Sequence, residues 1–170
     1  HFFFSIIFMY FLLLDFDIDP VSSVTAALMW TFSGTMLTRI EFLSVLGTTA
    51  WLPFTLLLLR NLIKKNDLNN IIFLSIALAI QFFAGHPQEY FYSILFISGY
   101  AVYELFSQKQ TKLFYSFALC ILITLLISSI QLLPSFEFIF NSSRISGNNS
   151  PGLGAEGASL YPITLGDLKN

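Results

Sequence analysis

From Leu113 to Pro134 the chain reads LFYSFALCILITLLISSIQLLP, and no charged side chain stands between Lys112 and Glu137. Crossing ~30 Å of hydrocarbon takes ~20 mostly apolar residues in a helix, whereas a barrel strand shows a short alternating pattern. This run is continuous and rich in Leu and Ile, so it predicts a membrane-spanning helix. Similar texture recurs from Phe42 to Leu59, from Ile71 to Ala84 and from Pro87 to Phe106. His1 to Leu14 reads as the tail end of a helix, and Pro20 to Ser33 as another that starts on a proline suited to a first helical turn. The expected fold is all-α: a polytopic transmembrane helix bundle with about six membrane-crossing segments. Residues 1–140 read as a transmembrane helical domain, a fragment of a larger one, because the chain is already hydrophobic at Phe2 and ends at GDLKN without a terminating element. Residues 141–170 read as an extracytoplasmic polar loop or the start of the next segment.

Composition excludes some function classes. Only 11% of residues are charged and the formal net charge is -2, so no basic field exists to attract nucleic acid. Cys120 lies inside an apolar run, where a thiol behaves as a small hydrophobe and supports neither a disulfide framework nor a zinc site.

Charge orients the segments. Loop 60–70 carries Arg60, Lys64 and Lys65, and loop 107–112 carries Lys109 and Lys112. These loops lie an even number of crossings apart, so both are expected to be cytoplasmic by the positive-inside rule. The same parity places the turn DFDIDP, with Asp15, Asp17 and Asp19, on that side without a basic residue of its own. Loops 34–42 and 84–89 and the tail 135–170 are then extracytoplasmic.

The most hydrophilic cluster between two apolar runs is AGHPQEYFY, residues 84–92. Gly85 and Pro87 are explained by a tight turn, glycine ending one helix and proline starting the next. His86, Gln88 and Glu89 need another explanation, because polar groups near membrane depth are costly. They are candidates for lining an extracytoplasmic cavity that holds a hydroxyl-rich ligand. On the same expected side, Arg39 and Glu41 follow FSGTM, Glu137 follows Pro134, and Arg144 follows NSS. An arginine there suits a phosphate or carboxylate; for Arg39 the plainer alternatives are a snorkelling anchor or a local ion pair with Glu41. Gln81 and Gln131 read as interhelical hydrogen-bonding groups. Trp30 and Trp51 read as interface or packing residues. The tail NSSRISGNNSPGLGAEG is either a solvated loop or a substrate-site loop.

Taken in order, FSGTM, AWLPFTLLLLRNL, LAIQFFAGHPQEYFYSILFISGYAVYEL and SSIQLLPSFEFIFNSSR resemble the YfhO family of bacterial multi-pass membrane proteins, which belongs with the GT-C type glycosyltransferases. The resemblance covers residues 1 to about 144. It implies a protein of the bacterial cytoplasmic membrane that transfers a sugar from a polyprenyl-phosphate carrier to a cell-envelope glycan or polymer on the extracytoplasmic side. Its partners would be membrane lipids, the lipid-linked sugar and the envelope acceptor. The resemblance also implies that the catalytic carboxylate lies upstream of His1; within the chain the best catalytic candidate is Glu89. The substrate-binding candidates are His86, Gln88, Glu89, Arg39, Glu41 and Arg144. No cofactor is evident, and a single histidine in the cluster offers no ligand set for a divalent metal. Competing readings are a transporter or lipid flippase, with GHPQ as a broken-helix binding site, and a non-catalytic membrane scaffold.

Overall fold

The computed structural model describes residues 1–108 and 111–140. Its described elements are helices: α1 (Phe2–Asp15), α2 (Pro20–Thr31), α3 (Gly34–Thr38), α4 (Leu43–Lys64), α5 (Leu68–Phe83), α6 (Pro87–Gln108) and α7 (Thr111–Phe140). The expected all-α class therefore holds. The chain divides into two units, His1–Gln131 and Leu132–Asn170. The polar segment 141–170, with Arg144, and Lys109 in the 107–112 loop lie outside the described residues.

The expectation of about six crossings is cut back by length and polarity. Among the described residues, two helices are long and apolar enough to cross a membrane, Leu43–Lys64 and Lys112–Glu137. The α1 and α5 helices are apolar but have 14 and 16 residues, about 21 and 24 Å at 1.5 Å per residue, short of ~30 Å. The α2 helix is shorter still, at 12 residues. The α6 helix has the length but carries Glu89 and Glu104 and is less apolar.

Local signals explain most boundaries. Pro20 opens α2, and the Asp19 carboxylate before it accepts from the Ser22 N–H at 3.0 Å. The α5 helix starts at Leu68 rather than at Ile71, because Asp67 caps it by accepting from the Asn70 N–H at 3.0 Å. The Asn70 side chain then donates to the carbonyls of Asn61 and Lys65, tying the start of α5 to the end of α4. Loop 60–70 thereby contracts to residues 65–67, and α3 occupies part of the expected loop 34–42. Proline fails to stop two helices: α4 continues through Pro53, and α7 passes Pro134 to Phe140. The stretch 135–140, expected as the start of a polar tail, is thus helical. An interior proline removes one backbone hydrogen bond, yet apolar flanks leave the remaining groups no better partner than the helix itself.

The α4 helix is central and packs against α1, α5 and α6. Leu59, Leu62, Leu74, Leu78 and Ile97 are fully buried at its interfaces. Small polar side chains are buried with them and mostly bond to the preceding turn: Thr48 Oγ1 donates to the Ser44 carbonyl, and Ser75 Oγ to that of Ile71. Across helices, Thr31 Oγ1 donates to Ser5 Oγ at 3.1 Å, and Thr124 Oγ1 to the Ser75 carbonyl at 3.3 Å. Close approach through small residues is how helices associate where water provides no drive. The outer surface is apolar, with Phe106, Tyr115, Leu126 and Ile130 exposed. Of the most apolar stretch of α7 only 22% is buried, against 50% in α4. Such an extended apolar surface fits contact with lipid better than contact with water.

Candidate functional site

The turn between α5 and α6 is built as its residues suggest. Gly85 adopts φ +87°, a conformation that disfavours any side chain, and its N–H donates to the Phe82 carbonyl at 3.1 Å. Pro87 then opens α6 as its first residue, and the His86 carbonyl accepts from the Tyr90 N–H. Gln88 and Glu89 consequently fall in the first helical turn, where the helix dipole favours an acidic side chain.

Arg39, which ends α3, reaches across to this turn. Its Nη1 lies 2.6 Å from Glu89 Oε1, joining residues 50 apart in sequence. The ion pair of Arg39 is therefore with Glu89 and not with its neighbour Glu41, whose side chain is exposed. Glu89 is the more enclosed partner, at 18% exposure against 44% for Arg39. A pair half open to solvent contributes only about 0–1 kcal/mol to stability, so its main effect is to fix two functional groups in one place. Gln88 Nε2 donates to the Tyr92 hydroxyl at 3.1 Å, and Ser93 Oγ to the Glu89 carbonyl at 2.9 Å. His86 is half-buried beside them. The structure thus brings Arg39 and Glu89 into contact and places His86 and Gln88 in the same turn. Chemically, this cluster offers a carboxylate, a guanidinium with further N–H donors, an imidazole and an amide. Among the described residues, no three His, Cys, Asp or Glu side chains gather as a metal-ligand set.

One turn below, Gln81 is fully buried and its Nε2 donates to the Thr48 carbonyl of α4 at 2.9 Å. This is the interhelical bond expected for it. Its Oε1 is buried without a partner.

A second polar cluster joins residues far apart in the sequence. Arg60 Nε lies 2.6 Å from Asp15 Oδ2, its Nη1 donates to the Tyr100 hydroxyl at 2.7 Å, and its Nη2 to the Asp15 carbonyl at 3.1 Å. Lys64 Nζ lies 2.5 Å from the other Asp15 oxygen, and the Arg60 guanidinium sits 3.7 Å above the Phe16 ring. Burial pushes the Asp15 carboxyl up, but the hydrogen bonds and charges of Lys64 and Arg60 outweigh it and hold the group below its ordinary value. The turn that seemed to lack a basic partner borrows two from α4. The available hint was parity: Asp15 and Arg60 each sit where an apolar run ends, on the same expected side. Glu89 and Tyr100 are separated by about 16 Å along α6, so the two clusters occupy different levels of the bundle.

Compared with protein-family models, curated proteins and solved structures, the chain matches none.

Proposed function

We propose that this chain is part of a membrane-embedded glycosyltransferase-like protein of the YfhO and GT-C type. It would pass a sugar from a polyprenyl-phosphate carrier to a cell-envelope acceptor on the extracytoplasmic face of a bacterial cytoplasmic membrane. In this reading α1, α2, α5 and α6 cross the bilayer together with α4 and α7, about six segments in all. Loops 60–70 and 107–112 are cytoplasmic, and loops 34–42 and 84–89 and the tail 135–170 face outward.

The observation that carries the reading is the contact of Arg39 with Glu89, which gathers a phosphate-binding type of cation and an acid beside His86 and Gln88. In an inverting transfer, a carboxylate takes the acceptor hydroxyl proton as that oxygen bonds to the anomeric carbon. The bond from that carbon to the carrier phosphate breaks, its electron pair leaves with the phosphate, and a guanidinium stabilises the departing charge. Arg39 is the residue for the second role. Glu89 is the acid within this chain placed for the first, unless a carboxylate upstream of His1 performs it. Glu41, His86 and Gln88 would contact sugar or acceptor hydroxyls.

The test is transfer of labelled sugar from a polyprenyl-phosphate donor by membranes holding the full-length protein. Glu89→Gln should lower transfer by at least about tenfold while the protein accumulates normally. Unchanged transfer would remove Glu89 from the mechanism. The mutual neutralisation of Arg39 and Glu89 also suits a scaffold, in which polar residues only join helices. That reading predicts that His86→Ala and Gln88→Ala lower activity and protein level in proportion; a site predicts lost activity at normal level.

A further inference from the structure

His1 stands at the same end of the bundle as the Arg39 and Glu89 pair, and Gly47 shows how closely. This glycine of α4 is buried, and a methyl group in place of its hydrogen would lie 3.3 Å from His1 Cε1, 3.8 Å from His1 Nδ1 and 3.4 Å from Ala84 Cβ. The His1 imidazole and the residue that opens AGHPQEYFY thus meet over one glycine. Just below, the Gln81 amide donates to the carbonyl of Thr48, the residue after Gly47, and ties α5 to α4. Phe2 packs against Met36, Leu46 and Ala50 and stacks on Phe32 with ring centroids 6.0 Å apart. Met36 belongs to α3 and precedes Arg39 by about one helical turn. The start of α1, the short α3, the early turns of α4 and the turn between α5 and α6 therefore converge, and His1 lies at the convergence.

The way the ring is held leaves its chemistry open. Its carbon Cε1 is the atom nearest Gly47, while the residue as a whole is exposed. Among the described residues, no group hydrogen-bonds to either ring nitrogen. A neutral imidazole has one N–H donor and one acceptor nitrogen, so His1 presents both at the end of the bundle where Arg39, His86, Gln88 and Glu89 gather.

We infer that His1 is a further residue of the proposed transfer site, the one that holds the acceptor by a hydroxyl. The inference rests on the reading of the chain as part of a glycosyltransferase-like protein. In an inverting transfer the acceptor oxygen approaches the anomeric carbon from the face opposite the leaving group. With the phosphate at Arg39, the rest of the acceptor extends away from that guanidinium, and the group that holds it is not one of Arg39's own partners. Glu89 is bonded to Arg39, and Gln88 to Tyr92. His1 is committed to neither and stands beside Ala84, at the start of the turn. One acceptor hydroxyl donates to its free nitrogen, and its N–H donates to a second oxygen. His1 binds and orients; removal of the proton stays with the carboxylate.

The experiment measures transfer from the labelled polyprenyl-phosphate donor to the delipidated cell-wall glycan fraction of the same bacterium, each varied in turn, in membranes holding the full-length protein. Two replacements separate hydrogen bonding from packing. His1→Phe keeps a flat ring over Gly47 without nitrogens, and His1→Gln keeps a donor and an acceptor without the ring. His1→Phe should raise the KM for the glycan about tenfold with kcat and the donor KM unchanged, the pattern of one lost binding hydrogen bond. His1→Gln should stay within about threefold of wild type. Gly47→Ala, whose methyl presses on the ring, should raise the same KM. An unchanged glycan KM in His1→Phe, a loss in His1→Gln alone, a change in the donor KM or a loss confined to kcat would overturn the inference. So would activity that falls in both variants in proportion to protein level, which makes His1 a packing residue. Wild-type membranes that transfer no sugar from the donor sink the underlying reading together with this one, whereas wild-type transfer that His1→Phe leaves intact sinks this one alone.

Discussion

Replacing Arg60 by methionine keeps an apolar side chain but removes the guanidinium, and with it the charge and the contact over the Phe16 ring. The wild-type side chain is 16% exposed, and its guanidinium makes hydrogen bonds at 2.6, 2.7 and 3.1 Å to Asp15 Oδ2, the Tyr100 hydroxyl and the Asp15 carbonyl. A bond to a charged group contributes about 1.5–3 kcal/mol, and stripping one partner from a buried pair costs about 3–5 kcal/mol. Here Lys64 still contacts Asp15 at 2.5 Å, so the carboxylate is not left alone. The expected loss is therefore intermediate, about 2–4 kcal/mol. Lys64→Met supplies the contrast: its side chain is 52% exposed, and an exposed pair contributes about 0–1 kcal/mol. Reversible unfolding in mixed micelles, following helical circular dichroism, measures both. Pairing Arg60→Met with Asp15→Asn should cost less than the sum of the two single changes, because the two groups act on each other and the carboxylate no longer has to be desolvated. The reasoning fails if Arg60→Met destabilises no more than Lys64→Met, for Arg60 would then be a solvated anchor.

Because the Asp15 carboxyl is held below its ordinary value in the folded state, its contribution is fully present above the unfolded value and is lost as pH falls through the folded one. Stability in micelles should thus be insensitive to this group from pH 7 to about 5 and fall below about 4, a fall that Asp15→Asn should flatten. At the other cluster, a double-mutant cycle with Arg39→Ala and Glu89→Ala should give a coupling of no more than about 1 kcal/mol; a coupling of several kcal/mol would mean that the pair is far less open to solvent than its exposure indicates. Gly85→Ala should cost about 1 kcal/mol or more because φ there is +87°. Gly99→Ala, where an added Cβ meets nothing within 4 Å, should be neutral or slightly stabilising by the same unfolding measurement.

The candidate site was half legible. Composition drew the eye to GHPQE, since polar residues between apolar runs stand out, and glycine and proline revealed the turn. For Arg39 the sequence offers a phosphate contact, a snorkelling anchor or a pair with its neighbour Glu41, and Glu89 is not among these because it is 50 residues away. The Asp15 and Arg60 pair was missed for the same reason: its members are 45 residues apart, and each had a sufficient local reading as a turn residue or a topological signal. Each apolar run suggests a crossing by its texture, whereas among the described residues only α4 and α7 have both the length and the apolarity for one, because α1, α2 and α5 as folded measure below the hydrocarbon thickness.

By itself the sequence determined what short-range physics controls. Apolar runs without charge become helices, Asp19 and Asp67 cap them, and Gly85 with Pro87 turns the chain, because each effect acts within about one helical turn. Tertiary structure alone decided which of these helices stack, how each is rotated, and hence which polar groups meet. Rotation about a helix axis by one residue, about 100°, would leave every helix intact and separate Arg39 from Glu89 and Arg60 from Asp15. Those meetings depend on the burial of Leu59, Leu62, Leu74 and Leu78 around α4, a property of the packed bundle and of no single segment.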